Sequence, residues 1–222
     1  MMSNNSFKDQ LRNTPVLQGP FPDLDFDAFP DTPHDAFKLW FHNAVAAGVR
    51  EPHAMTLSTV DADGAPDARV LILKHVDSRG WHFAIKADSP KGIQLSCNQH
   101  AALTFYWPQL ARQIRVRGRA TALPADESAQ DYQARPLAAR VTAAASQQSR
   151  PLANREVLGH RRAQTAAAMM DDPLLGVEAW RVYAVTPRVV EFWQGDASRL
   201  HHRLEYVHGE DGNAWQKRLL WP

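Results

Sequence analysis

The class of fold turns on residues 54–86, AMTLSTVDADGAPDARVLILKHVDSRGWHFAIK. The stretch opens with a two-residue alternation, AMTLSTV, which suits a half-buried strand better than a helix. Asp61-Ala62-Asp63-Gly64 is a turn, and it leads into the apolar run ARVLILKHV. A second turn, Asp77-Ser78-Arg79-Gly80, returns the chain into WHFAIK, so the economical expectation is three antiparallel strands in meander.

Upstream, Thr32-Pro33-His34-Asp35 carries a hydroxyl cap, Pro at the first helical position and an acid three residues after the cap. Phe37, Trp40, Phe41, Ala44 and Val45 follow at helical spacing, and Gly48 is the expected stop. Residues 1–31 hold prolines at 15, 20, 22 and 30 and show neither period, which predicts an extended arm ahead of a single domain over 32–222.

Downstream, Ser89-Pro90-Lys91-Gly92 opens a short helix to about Asn98, followed by the strands AALTFYW and RQIRVRGRATAL. The second places Ile114, Val116 and Gly118 on one face and Arg115, Arg117 and Arg119 on the other. Residues 124–170 read as two or three helices; AWRVYAVTP, RVVEFWQ, RLEYV and AWQKRLL restore strand character. This order lacks βαβ alternation and predicts a mainly β, α+β architecture: a closed or split antiparallel barrel with flanking helices.

Composition narrows the function. Hydrophobic residues at 44% and charged residues at 22% are ordinary globular usage, and 25 Lys+Arg against 24 Asp+Glu give a net charge of +1. Such a balance provides no global field for nucleic acid or an anionic membrane. The single cysteine, Cys97, excludes an internal disulfide and a Cys-x-x-Cys site, and the start MMSNNSFKDQ has no cationic and apolar leader, so a soluble cytoplasmic protein is expected. No G-x-G-x-x-G, P-loop, H-E-x-x-H or G-x-S-x-G motif occurs. Apart from the neighbours His201 and His202 the ten histidines are scattered, and no metal is expected.

Four constellations remain. In a strand, Arg199, His201 and Arg203 would share one face beside Phe192 and Trp193, which fits either a flat anionic ligand or a charged, exposed edge. Arg69 and Lys74 bracket Val70, Leu71, Ile72 and Leu73; at about 16 Å apart and on opposite faces they hold different groups of a long ligand or simply end a strand in water. Lys91 sits at a helix N-terminus, where free N–H groups favour phosphate. Gln113 and the Gln148-Ser149 pair offer neutral donors and acceptors that suit a heterocycle, phosphate oxygens or an ordinary surface.

Together, EPHAMTLSTVDADGAPDARVLILK, SPKG, FYWPQLARQIRVRG, SQQS, VEFWQGDASRLHHRL and RLLWP resemble the pyridoxamine 5'-phosphate oxidase family of FMN-dependent flavoproteins, from about Glu51 to Pro222. The resemblance implies an FMN-binding split β-barrel and a homodimer with FMN across the subunit interface. It places Arg69, Lys91 and Ser149 at the FMN phosphate, and Gln113, Gln148, Trp193 and Arg203 around the ring system and ribityl chain, with the backbone of 70–73 lining the flavin. Lys74 and Arg135 would hold a substrate phosphate, and Arg199 and His201 would lie over the reacting pyridine as catalytic residues. The implied chemistry is hydride transfer to flavin N5, with dioxygen reoxidising the flavin to give hydrogen peroxide and pyridoxal 5'-phosphate as the product of vitamin B6 salvage. Two alternatives are the same chemistry on another, possibly non-phosphorylated heterocycle, as in the phenazine-biosynthesis branch, and a non-catalytic flavin-binding protein.

Against the family pattern, Asp131 stands for a tyrosine ahead of Arg135 and Ala139 for a serine after it. Tyr132, one residue on, could restore the phenol through a small helix shift. Pro90 stands where the family usually has a second phosphate-binding cation, Ala84-Ile85 replace a polar pair on the flavin strand, and the arm lacks a recognisable basic, tyrosine-containing segment.

Overall fold

The structure is a computed structural model, described here over residues 6–208 and 214–222. In chain order the elements are α1 (Phe7–Asn13), α2 (Pro33–Ala46), β1 (Ala54–Val60), β2 (Pro66–Ile72), β3 (His75–Asp77), β4 (Gly80–Lys86), α3 (Pro90–Cys97), β5 (His100–Trp107), β6 (Arg112–Ala122), α4 (Ala125–Gln133), α5 (Leu137–Ala145), α6 (Arg155–Asp171), β7 (Trp180–Gln194), β8 (His202–His208) and β9 (Trp215–Leu219). All strand pairs are antiparallel, in the order β2-β1-β5-β6-β7-β4-β3 with β8 on β7 and β9 on β8. This is the expected mainly β architecture with flanking helices, a split barrel.

The split originates in β7. One edge follows β6 along its length, while the other pairs first with β4 over 180–185 and then with β8 over 189–194. The crossover lies beside a β6 irregularity at Arg117/Gly118. A Cβ at Gly118 would meet the Thr186 carbonyl oxygen at 2.0 Å, so only glycine allows this approach.

The meander expectation fails. ARVLILKHV is two strands rather than one, because Leu73 N–H bonds to His53 O (2.9 Å) while Lys74 N–H bonds to His82 O (2.8 Å). The chain thus steps from the β1 side to β4 within two residues, and β4 pairs with β7 instead of β2. Long-range closure of a curled sheet overrides local apolar continuity.

α2 plugs the barrel. Thr32 Oγ1 accepts Asp35 N–H, and Phe37, Trp40 and Ala44 are buried against Trp81, Phe105 and Phe192; Val45 faces out. A smaller core of Tyr132, Val141, Met169 and Trp180 joins α4–α6 to the sheet.

The arm also departs from expectation. Phe7–Asn13 is a helix, started by a capping box between Ser6 and Asp9 that outweighs the lack of an apolar stripe; residues 1–5 lie outside the described residues. From Thr14 onward the arm has no regular structure and lies over β7–β9. There Gln194 Nε2 donates to Pro22 O (2.8 Å), Tyr206 Oη to Pro30 O (2.7 Å) and Lys217 Nζ to Phe29 O (2.9 Å).

Candidate active site

Arg69 and Lys91 meet where β2 faces the start of α3. Ser89 caps α3 by accepting Gly92 N–H, and a Cβ at Gly92 would lie 2.3 Å from the Ala87 carbonyl oxygen, so the tight turn requires glycine there. Lys91 is only 5% exposed yet makes no hydrogen bond or ion pair among the described residues. Burial lowers its pKa, and the neighbouring Arg69 charge lowers it further. Arg69 donates to Thr59 Oγ1 (2.6 Å), to Gln94 Oε1 (3.2 Å) and to the solvent-facing Asp67. An anion placed here would meet two cations, Lys91 and Arg69, of which only Arg69 is held in an ion pair, with Asp67. Beside it, β2 pairs only with β1 among the described residues, so its other edge is open; Val70 and Ile72 face outward while Leu71 and Leu73 pack on the core.

A second group forms one cross-strand row. Gln113 on β6 is opposite Trp193 on β7, which is opposite Arg203 on β8. The row includes Tyr106 on β5, which sequence reasoning missed although the alternation of FYW marks it as outward-facing. Arg203 Nε donates to Glu191 (2.9 Å) and Nη1 to Trp221 O (2.8 Å). Burial alone would raise the Glu191 pKa, but hydrogen bonds from Arg203 and Arg115 hold it below the ordinary range.

Register puts these two groups on opposite faces. Arg69 shares its row with the buried Leu57, Leu103, Val116 and Val190, whereas the Gln113 row alternates with the buried Ile114, Phe192 and Leu204. Four strand steps, about 19 Å in a flat sheet, also separate β2 from β7. Gln148 and Ser149 lie in an exposed turn after α5, Ser149 at φ +67°, and nothing joins them to Arg69 or Lys91 among the described residues.

The shared-strand reading of Arg199, His201 and Arg203 is corrected: β8 starts at His202, and Arg199 occupies a turn at φ +68°. Asp196 builds this turn, its carboxylate accepting Ser198 N–H (2.7 Å) and its carbonyl accepting Arg199 N–H (3.0 Å). Asp196 N–H donates to His201 Nδ1 (3.1 Å), so a neutral His201 carries its proton on Nε2. The His201 ring lies 5.0 Å from Trp193, and a cavity of about 370 Å³ is walled by His201, Arg203, Leu219 and the arm segment 24–27. A larger groove of about 710 Å³, between Thr59, Arg117 and Pro187, contains none of the expected site residues.

Lys74 and Arg135 do converge, with Asp131 between them. Lys74 Nζ is 3.0 Å from Asp131 Oδ1, and Trp180 Nε1 donates to Asp131 Oδ2 at 2.8 Å. The Arg135 guanidinium stacks 3.9 Å over the Trp180 ring with its Nε buried and unpartnered; burial lowers its pKa. Tyr132 does not restore a phenol to this place, because it is fully buried and its hydroxyl donates to Leu175 O (2.6 Å). Among the described residues no group of three His, Cys, Asp or Glu side chains could hold a metal, and no helix is long and apolar enough to cross a membrane.

Comparison with known proteins agrees with this architecture. Residues 41–166 match the family described as pyridoxamine 5'-phosphate oxidase, and residues 180–222 match a pyridoxine 5'-phosphate oxidase C-terminal dimerisation region. A pyridoxine/pyridoxamine 5'-phosphate oxidase of Pseudomonas paraeruginosa is 45% identical over 195 residues, covering 87% of this chain and 90% of that protein. One of Janthinobacterium sp. is 41% identical over 209 residues, covering 94% and 97%. The crystal structure of PhzG from Burkholderia lata 383 in complex with tetrahydrophenazine-1-carboxylic acid superposes with a TM-score of 0.84 at 32% identity, covering 92% of this chain and all of that one. An FMN-binding protein from Nostoc punctiforme shares the fold at TM-score 0.67 and 18% identity, covering 86% of this chain and 98% of that one. The chain belongs to the pyridoxamine 5'-phosphate oxidase family, a family of flavin-dependent oxidoreductases.

Proposed function

We propose that the protein is an FMN-dependent oxidase of a flat heterocyclic substrate, working as a homodimer with FMN across the subunit interface. The observation that carries this reading is the largely buried Lys91, without an ion pair among the described residues, beside Arg69 at the start of α3, a fit for the FMN phosphate. Because the Gln113–Trp193–Arg203 row lies on the opposite face of the sheet, one copy would hold the phosphate while a second copy's Trp193, Arg203, Gln148 and Ser149 complete the site. The C-terminal dimerisation match includes Trp193 and Arg203.

When bound, FMN would accept a hydride from the substrate carbon bearing the amine or alcohol and pass two electrons to dioxygen, giving hydrogen peroxide. The chain orients and charges the site. Arg199, held out on its turn, and His201, with its Nε2 proton free, would hydrogen-bond the substrate ring, and the arm segment 24–27 would exclude water beside them.

The relatives' names make pyridoxine or pyridoxamine 5'-phosphate the first substrate to assay, with pyridoxal 5'-phosphate formation in vitamin B6 salvage as the corresponding role. FMN-saturated protein given pyridoxine 5'-phosphate should then release peroxide and pyridoxal 5'-phosphate in equal amounts. No turnover in a sample that retains FMN contradicts the B6 reading. A second reading, the same chemistry on a heterocycle without a phosphate, is favoured by the Lys74–Asp131 pair.

A further inference from the structure

Resting on the flavin-oxidase reading, we infer that Lys74, Asp131 and Arg135 form a subsite for a monoanion, so that the substrate is anchored through a carboxylate rather than a phosphomonoester, with Asp131 as the specificity-determining residue. Two cations and one carboxylate give the cluster a formal charge of +1. A carboxylate brings one negative charge, whereas a phosphomonoester brings about 1.5 to 2 at neutral pH.

Asp131 cannot withdraw at small cost. Lys74 occupies one of its oxygens and the Trp180 indole N–H the other, so swinging aside would leave both donors without their acceptor. The same indole carries the Arg135 guanidinium, whose nitrogens make no hydrogen bond among the described residues. One oriented fork with a free edge fits a carboxylate in bidentate geometry.

The test is calorimetric titration of the FMN-saturated protein with pyridoxine, pyridoxine 5'-phosphate and phenazine-1-carboxylate, with flavin content read separately from the visible spectrum after desalting. The phosphate should tighten binding of pyridoxine by less than about tenfold in the native protein. In Asp131→Asn, which keeps an acceptor for Trp180, the gain in affinity for pyridoxine 5'-phosphate should exceed the gain for phenazine-1-carboxylate by about tenfold or more. A native phosphate effect above tenfold, equal gains for both anions in the variant, or no binding of any probe would overturn the assignment. Should Asp131→Asn not fold, the native ratio alone decides. A protein that keeps no flavin contradicts the oxidase reading, while the ratio of the two pyridoxine probes still reports on the subsite.

Discussion

Lys91 is largely buried in the first turn of α3 and makes no ion pair among the described residues, whereas Lys74 lies 3.0 Å from Asp131. Each lysine sits beside an arginine and one carboxylate, but the carboxylate is on the arginine at the first end, Arg69 with Asp67, and on the lysine at the second, Lys74 with Asp131. The difference teaches that a cation's use depends on what already neutralises it. A buried lysine without a partner costs stability unless a ligand anion arrives, whereas a paired lysine is satisfied before any ligand comes.

The largest expected effect breaks the Lys91 end. Lys91→Met should weaken FMN binding by about ten- to hundredfold, the loss of one charge-assisted hydrogen bond, measured by fluorescence titration. The same variant should make the flavin-free protein more resistant to urea. The folded-state pKa of Lys91 is lowered, so the fold disfavours its charged form; any stability it lends is present above the unfolded value of 10.5 and lost as pH falls through the lowered one. At neutral pH the charge is therefore a cost, which methionine removes.

A smaller effect sharpens the same end. Pro90→Arg adds a cation at the exposed first position of α3 and should tighten FMN by about three- to tenfold in the same titration, less at high salt. Smaller still, Asp131→Ala should reduce stability by about 1 kcal/mol in denaturant unfolding, since it strands the Trp180 indole N–H and the partly exposed Lys74. Deleting one charge thus stabilises at Lys91 and destabilises at Asp131, which is the contrast in its most direct form.

Local chemistry made part of this legible. Thr32 and Ser89 announce α2 and α3 through their hydroxyl caps, and the alternation in 112–122 marks β6 because each position follows from a two-residue period. Pairing partners were not legible: the break after Ile72, the shared edge of β7 and the turn that takes Arg199 out of β8 depend on hydrogen bonds between distant segments. At the site, Lys91 could be read from a helix start and Trp193 as an aromatic neighbour of the Arg199–Arg203 segment, but the row that Trp193 shares with Arg203 comes from strand pairing. The contact between Lys74 and Asp131 could not, since 57 positions separate them and only the packing of α4 on the barrel brings them together. Nor could the burial of Tyr132, which answers to a small core built from three helices and β7.

The most direct measurement is flavin retention. Native protein and Lys91→Met are each mixed with FMN and desalted under one dilution, and their visible spectra are recorded. A native sample that keeps the flavin band beside a variant that loses most of it is the predicted result. Two colourless samples, or two that keep flavin equally, would contradict the claim that the buried lysine of α3 answers a cofactor phosphate.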